Sequence, residues 1–327
     1  MSISISHSML QSGFWSSYWV TMRPYLLFVS GAAGAVGLSF IPNLEWTRGL
    51  PAFLVLFLSY GFGQALTDCF QTDTDALSSP YRPLIRGAIT RRQVLMTSLA
   101  GLSLSAVILA WLNPIILLVS SAAVFGLLTY TFFKRHWWGG PFWNSWIVAL
   151  LPVIGCLSGS ESHPTNPFQT PSAIVFPFWA SVATIFFGYA NFVVMGYFKD
   201  ISADRKTGYR TLPVVFGWKA AAFCSDTLAL ATVLCACLFV IAHSHVQPLP
   251  VVLLAVGIFL SIRAQRKIHR VRDEKKTYKP ISHVVRVFLL YGLAIIVSNK
   301  PSWSLVAAIY YLLFEVALRV RPEEAQV

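Results

Sequence analysis

Apolar residues gather into ten long runs separated by short polar stretches. The runs are Pro24–Ile41, Pro51–Phe70, Val94–Leu112, Ile115–Phe133, Phe142–Leu157, Ala173–Phe198, Ala220–His243, Leu249–Ile262, Val284–Val297 and Ser302–Leu318. About 20 apolar residues in a helix cross a hydrocarbon layer of about 30 Å. Most of the runs reach or approach that length, and Leu249–Ile262 and Val284–Val297 fall furthest short. The pattern predicts an all-α polytopic membrane helix bundle of nine to ten transmembrane helices. No low-complexity segment or linker divides it, so residues 1–327 are expected to form a single domain.

Composition agrees with the pattern. The chain is 56% hydrophobic and only 12% charged, against about 25% charged in a typical soluble domain. The polar connections add an orientation. All Lys and Arg residues except Arg48 and Lys300 fall at every second connection or at the two ends. Basic residues accumulate on the cytoplasmic side of a membrane protein. Both termini and the basic connections are therefore expected there. The net charge of +12 then reads as orientation and attraction for anionic groups rather than as a nucleic-acid surface. The five cysteines lie mostly inside apolar runs, without CxxC or Cys/His metal spacing, and read as small buried hydrophobes. No Lys or Arg precedes Arg23, so the start of the chain lacks the basic region of a secretory signal. The stretch Ser158–Ser172 reads as an outer loop, and His243 and His245 as solvated turn residues.

Two acidic stretches stand at the ends of apolar runs on the basic side. The first, QALTDCFQTDTDALSSPYRP, spans Gln64–Pro83 and places Asp68 and Asp75 seven residues apart, nearly two helical turns. On a continuous helix these two share a face and Asp73 points elsewhere. Arg82 and Arg86 follow. The second, YFKDISADRKTGYRTLPVVFG, sets Asp200 and Asp204 one turn apart, which puts both on one face. Lys199, Arg205, Lys206 and Arg210 surround that pair. Paired carboxylates repel unless a cation sits between them. Mg²⁺ suits them, because it binds one or two carboxylates and bridges to phosphate. Two such faces on two helices are expected to hold Mg²⁺ and a diphosphate between them, with a central cavity in the bundle for a hydrocarbon tail. That combination points to a prenyl diphosphate.

At this level the sequence resembles the UbiA superfamily of intramembrane prenyltransferases. The family's second motif, DxxxDxxxG, is intact as Asp200, Asp204 and Gly208, and TLPVVFG follows it. The YxxxK element matches at Tyr130 and Lys134. The loop DALSSPYRPLIRGAIT is similar to that of chlorophyll-synthase-like members. The first motif, NDxxDxxxD, departs from the pattern: Asp68 and Asp75 match, while Thr67 replaces the Asn and Gln71 the middle Asp. A tenth apolar run also exceeds the family's nine helices.

The resemblance implies an enzyme that ionises a prenyl diphosphate with Mg²⁺ and transfers the prenyl group to an acceptor, expected to be aromatic. A minority branch instead closes the chain on its own double bonds as a terpene cyclase. It implies Asp68, Asp75, Asp200 and Asp204 as catalytic acids and, with Gln71, as metal ligands. Arg23, Arg82, Tyr130, Lys134 and Arg210 are implied as diphosphate contacts. A membrane transporter is the alternative from another class, but its acids belong near the middle of the membrane. Elsewhere, Asp226 is an acid inside an apolar run and a functional candidate for that reason. Glu315 is expected at the interface or paired with Arg319, four residues on. Asn191 is expected to point away from Asp200.

Overall fold

A computed structural model describes residues 12–159, 172–242 and 247–321. Most of the stretch Ser158–Ser172, together with His243 and His245, lies outside the described residues. Among the described residues, thirteen α-helices follow one another: α1 (Ser12–Met22), α2 (Pro24–Ser39), α3 (Trp46–Asp68), α4 (Thr72–Ser78), α5 (Arg91–Leu112), α6 (Ile116–His136), α7 (Gly140–Gly159), α8 (Ser172–Tyr197), α9 (Ile201–Lys206), α10 (Leu212–Ile241), α11 (Pro248–Arg270), α12 (Tyr278–Asn299) and α13 (Ser304–Arg319). Each of the ten apolar runs is one of these helices. Nine are long and apolar enough to cross a membrane, and α2, with 16 residues, is shorter. The helices α11 and α12 extend beyond the apolar runs, because basic side chains such as Arg263, Lys267 and Lys279 occupy their ends. Helices α1, α4 and α9 carry no long apolar run and are additions to the predicted set.

The bundle is organised around α12, whose span is 83% buried. It packs against α8, with the rings of Tyr189 and Phe288 6.2 Å apart. Helices α2 and α7 approach backbone to backbone. A side chain at Gly37 would collide with the carbonyl of Pro152, and one at Gly155 with the carbonyl of Gly34. Small residues at such crossings are how membrane helices gain close van der Waals contact. The outward faces of α5, α6, α10 and α13 expose Leu104, Trp111, Leu118, Phe223 and Leu305, an apolar surface that only a bilayer satisfies.

Opposite ends of the bundle differ in chemistry. At one end Arg48 donates to Leu112 O at 2.6 Å, Asn113 to Leu157 O at 3.2 Å, and Asn299 to Ser39 Oγ at 2.9 Å. At the other, α4 and α9 lie across the mouth of the bundle and meet each other, with Thr74 Oγ1 2.8 Å from Thr207 Oγ1. The ends of the two acidic stretches therefore come together.

Candidate active site

The chain breaks helix at the first acidic stretch. After Asp68, the N–H groups of Cys69, Phe70 and Gln71 donate to carbonyls three residues back, a tightening turn that ends a helix. Helix α4 then restarts at Thr72. The expected two-turn face is therefore not continuous. Asp68 and Asp75 meet because the chain folds back and Arg82 reaches both, at 3.5 Å from Asp68 Oδ1 and in close contact with Asp75 Oδ2. Arg23 Nη2 lies 3.0 Å from each oxygen of Asp68. Gln64, one turn earlier, donates to Asp68 at 2.7 Å. Arg23 sits between α1 and α2 at φ 54° and ψ 73°, a left-handed conformation rare for a residue with a side chain. The two contacts to Asp68 anchor it there. Asp73 points outward, as expected, and accepts from Arg135 at 2.6 Å and from Tyr209 Oη at 3.2 Å.

The second stretch caps the opposite side. Asp200 is the residue before α9, and Asp204 lies one turn on, its N–H donating to Asp200 O at 2.8 Å. Gly208 ends the segment at φ +78°, a backbone conformation that favours glycine. Asp204 is fully buried. Its Oδ2 accepts from Thr211 at 3.1 Å and its Oδ1 lies 3.6 Å from Lys134 Nζ. Burial outweighs Lys134 and pushes the Asp204 carboxyl up to about 6. Burial also raises Asp75, against the opposing pull of Arg82. Lys134 donates to Gln71 Oε1 at 3.1 Å, and its ammonium lies over the rings of Tyr197 and Tyr209, 5.4 and 5.0 Å from their centres. Gln71 was expected as a neutral metal ligand. Its oxygen instead accepts from Lys134, and its amide donates to Thr131 at 3.4 Å.

Between the caps opens a cavity of about 550 Å³, within the range of small-molecule sites. Asp68, Gln71, Asp75 and Asp200 line it together with Arg23, Arg82, Tyr130 and Lys134. Asp204 stands behind Lys134 rather than on the wall. Arg210 was expected at the diphosphate. It is exposed and holds Arg135 O through its own backbone N–H at 3.1 Å. The neighbouring Tyr209 is the residue that turns inward. Sequence reasoning missed Lys199, Tyr60, Tyr189 and Tyr197 as wall residues. Lys199 is partly buried, and burial pulls its ammonium down to about 8 against the attraction of Asp200. The hydroxyls of Tyr130 and Tyr197 are 3.1 Å apart, and those of Tyr60 and Tyr189 3.2 Å. Deeper in, the walls are Leu102, Leu109, Val124, Leu151 and Ile154.

The sequence model of the UbiA prenyltransferase family matches residues 26–290. The chain belongs to this family. Digeranylgeranylglyceryl phosphate synthase of Pyrococcus abyssi is 26% identical over 83% of this chain and 95% of its own length. Chlorophyll synthase of Oryza sativa subsp. japonica is 30% identical over 62% of this chain and 54% of its own. Among solved structures, a UbiA homologue from Aeropyrum pernix K1 has a TM-score of 0.70 at 22% identity, covering 84% of this chain and 97% of that one. A UbiA homologue from Archaeoglobus fulgidus, solved bound to GPP and Mg²⁺, has a TM-score of 0.62 at 21% identity, covering 86% of this chain and 99% of that one. These two share the UbiA fold with this chain. Helix α13 lies beyond the matched residues.

Among the described residues no three His, Cys, Asp or Glu side chains gather around one point. The UbiA-type motif acids still fit a magnesium ion shared with a phosphate, which needs only one or two carboxylates. Asp204 Oδ1 is buried without a hydrogen bond, its ion-pair partner Lys134 3.6 Å away, and Asp200 faces the cavity one turn away.

Asp226 and Glu315 take no part in this UbiA site. Asp226 pairs with His269 at 2.7 Å, and both are half exposed. Glu315 was expected at the interface or paired with Arg319; it accepts two hydrogen bonds from Arg286 of α12, at 2.6 and 2.9 Å. Asn191 points away from Asp200, accepting from Ser225 at 2.6 Å.

Proposed function

We propose that the cavity binds a prenyl diphosphate head-first, with the diphosphate between the two acidic caps and the tail in the apolar depth. One observation carries this reading. Asp68 and Asp75 from one cap, Asp200 from the other, and the cations Arg23, Arg82 and Lys134 all face one cavity whose far end is hydrocarbon. A site for a bare cation has no use for the three basic residues, and a site for an anion alone has no use for the acids. The UbiA homologue from Archaeoglobus fulgidus was solved with GPP and Mg²⁺, which supports the same pairing here.

Asp68, Asp75, Asp200 and Asp204 are the residues proposed to hold magnesium. When bound, that ion supplies neutralisation of the diphosphate's charge. Arg23, Arg82 and Lys134 hold the diphosphate oxygens and stabilise the charge that develops as the allylic C–O bond breaks and its electron pair leaves with the diphosphate. Gln71 and Asp204 fix Lys134 from two sides. Tyr60, Tyr189 and Tyr197 line the cavity, and aromatic rings there can stabilise an allylic cation. A nucleophile then closes a bond to that carbon and loses its proton. Relatives are named for products as different as a glyceryl phosphate lipid and a chlorophyll, so likeness does not support an aromatic acceptor over others. The excess of Lys and Arg on the motif face supports a cytoplasmic position for it.

The test uses the full chain in lipid with Mg²⁺ and prenyl diphosphates of graded length, following diphosphate release. Asp200→Ala and Asp204→Ala are expected to lower turnover by about 100-fold, the scale of lost electrostatic stabilisation. Release that needs an added acceptor identifies a transferase. Release without one, with a cyclic hydrocarbon formed, identifies a cyclase. Equal rates for the parent and both variants contradict the enzyme reading.

A further inference from the structure

Helix α9 and the residue before it supply both acids of the second cap, and this helix starts in an unusual way. A helix leaves its first N–H groups without intrahelical partners. An aspartate just before the helix ordinarily accepts one of them, from the second or third helical residue. Helix α5 follows the rule with a threonine: Thr90 accepts from Gln93 N, and Gln93 Oε1 accepts in turn from Thr90 N at 2.9 Å. Asp200 holds that position at α9, yet its side chain accepts no cap hydrogen bond. Its backbone, at φ −113° and ψ 7°, lies outside the extended region that capping residues favour. Asp200 lines the cavity instead.

The capping role passes to a distant part of the chain. Glu274 lies in the connection between α11 and α12. Its Oε2 accepts from Ser202 N at 3.0 Å and its Oε1 from Ser202 Oγ at 2.6 Å. Ser202 is the second residue of α9, so its N–H is one that Asp200 would otherwise cap. A braced turn presents Glu274. Asp273 Oδ1 accepts from Lys275 N at 3.0 Å, and Thr277, fully buried, donates its hydroxyl to Glu274 O at 2.7 Å. Both carboxylate oxygens of Glu274 are thereby committed to α9.

Short polar side chains compete for backbone donors close to them. A carboxylate beside an uncapped N–H has two uses: it turns back onto its own helix, or it points away. An acceptor supplied by Glu274 removes the first use. We propose that Glu274 is a positioning residue for the diphosphate site: by capping α9 in place of Asp200, it keeps the Asp200 carboxylate turned to the cavity. Glu274 acts through Asp200 and lies outside both acidic stretches. This assignment rests on the prenyl diphosphate reading above.

Binding rather than turnover tests it. The full chain in lipid nanodiscs is titrated by calorimetry with a non-ionising thiodiphosphate analogue of geranylgeranyl diphosphate over a series of Mg²⁺ concentrations. The Mg²⁺ level that gives half-maximal binding is compared among variants. Glu274→Ala is expected to raise it about fivefold, the scale of one helix cap. Glu274→Gln keeps an oxygen for Ser202 N and is expected to stay within about twofold of the parent. In an Asp200→Ala background, Glu274→Ala is expected to change the level by less than about twofold, because nothing is left for Glu274 to position. Glu274→Ser, too short to reach Ser202, replaces the alanine variant if that one fails to fold. An unchanged Mg²⁺ requirement in Glu274→Ala, or an equal rise with and without Asp200, overturns the positioning role while leaving the diphosphate reading intact. An Asp200→Ala variant with the parent's Mg²⁺ requirement sinks the diphosphate reading, and the positioning role with it.

Discussion

Lys199 is the cation of this site whose charge changes within the working range of pH. Burial holds its ammonium near 8, below its ordinary 10.5. The charge is present below about pH 8 and lost above it, while the arginines beside it stay charged throughout. The penalty for burying the charge is correspondingly present below pH 8 and disappears as pH rises towards 10.5. Inorganic diphosphate, used as a competitive inhibitor, is expected to bind the parent progressively more weakly as pH rises from 7 to 9.5, by up to about tenfold relative to Lys199→Arg. Superimposable curves for the two proteins contradict a diphosphate role for Lys199. At this scale the acids were legible, because carboxylates beside an apolar run are costly and need a purpose. Direction was not legible. Tyr209 and Arg210 are adjacent, and only the folded turn after Gly208 sends the tyrosine in and the arginine out. Four wall residues, Lys199 and three tyrosines, were hidden by number, among 12 tyrosines and 25 basic residues whose chemistry alone does not mark one as special.

Helices α2 and α7 set the frame on which the cavity is hung. Their contact depends on absent side chains at Gly37 and Gly155. Gly37→Ala is expected to destabilise the protein by about 1–3 kcal/mol, the usual cost of overpacking, seen as a lower Tm in detergent. Gly196→Ala is the control: it has open space within 4 Å and is expected to leave Tm unchanged or raised. Equal Tm values for the two variants contradict the close packing of α2 and α7. The ten apolar runs were readable because a span must satisfy every backbone group internally and offer only apolar side chains to lipid. The short α4 and α9 were not. Each is polar, and each is held by tertiary partners such as Thr74, Thr207 and Thr211. The break after Asp68 is equally invisible, since 'TDCFQTDTD' carries no proline or glycine to announce it.

The whole molecule joins a charged mouth to an apolar interior. The alternation of basic connections along the chain corresponds to the alternation of helix ends in the fold: Arg48 and Lys300 lie at the end away from the motifs, each bonded to a backbone carbonyl. The tenth helix, α13, covers one flank and lies outside the family match. The central claim is that both acidic caps bind one diphosphate. An experimentally determined structure with magnesium and a non-ionising thiodiphosphate analogue of geranylgeranyl diphosphate tests it most directly. The predicted outcome is a diphosphate between Asp68 and Asp75 on one side and Asp200 on the other, with Asp204 behind Lys134, touched by Arg23, Arg82 and Lys134, with the tail beside Leu102 and Leu109. A diphosphate bound away from these acids, in the outer groove lined by Arg205, Arg272 and Lys275, would contradict it.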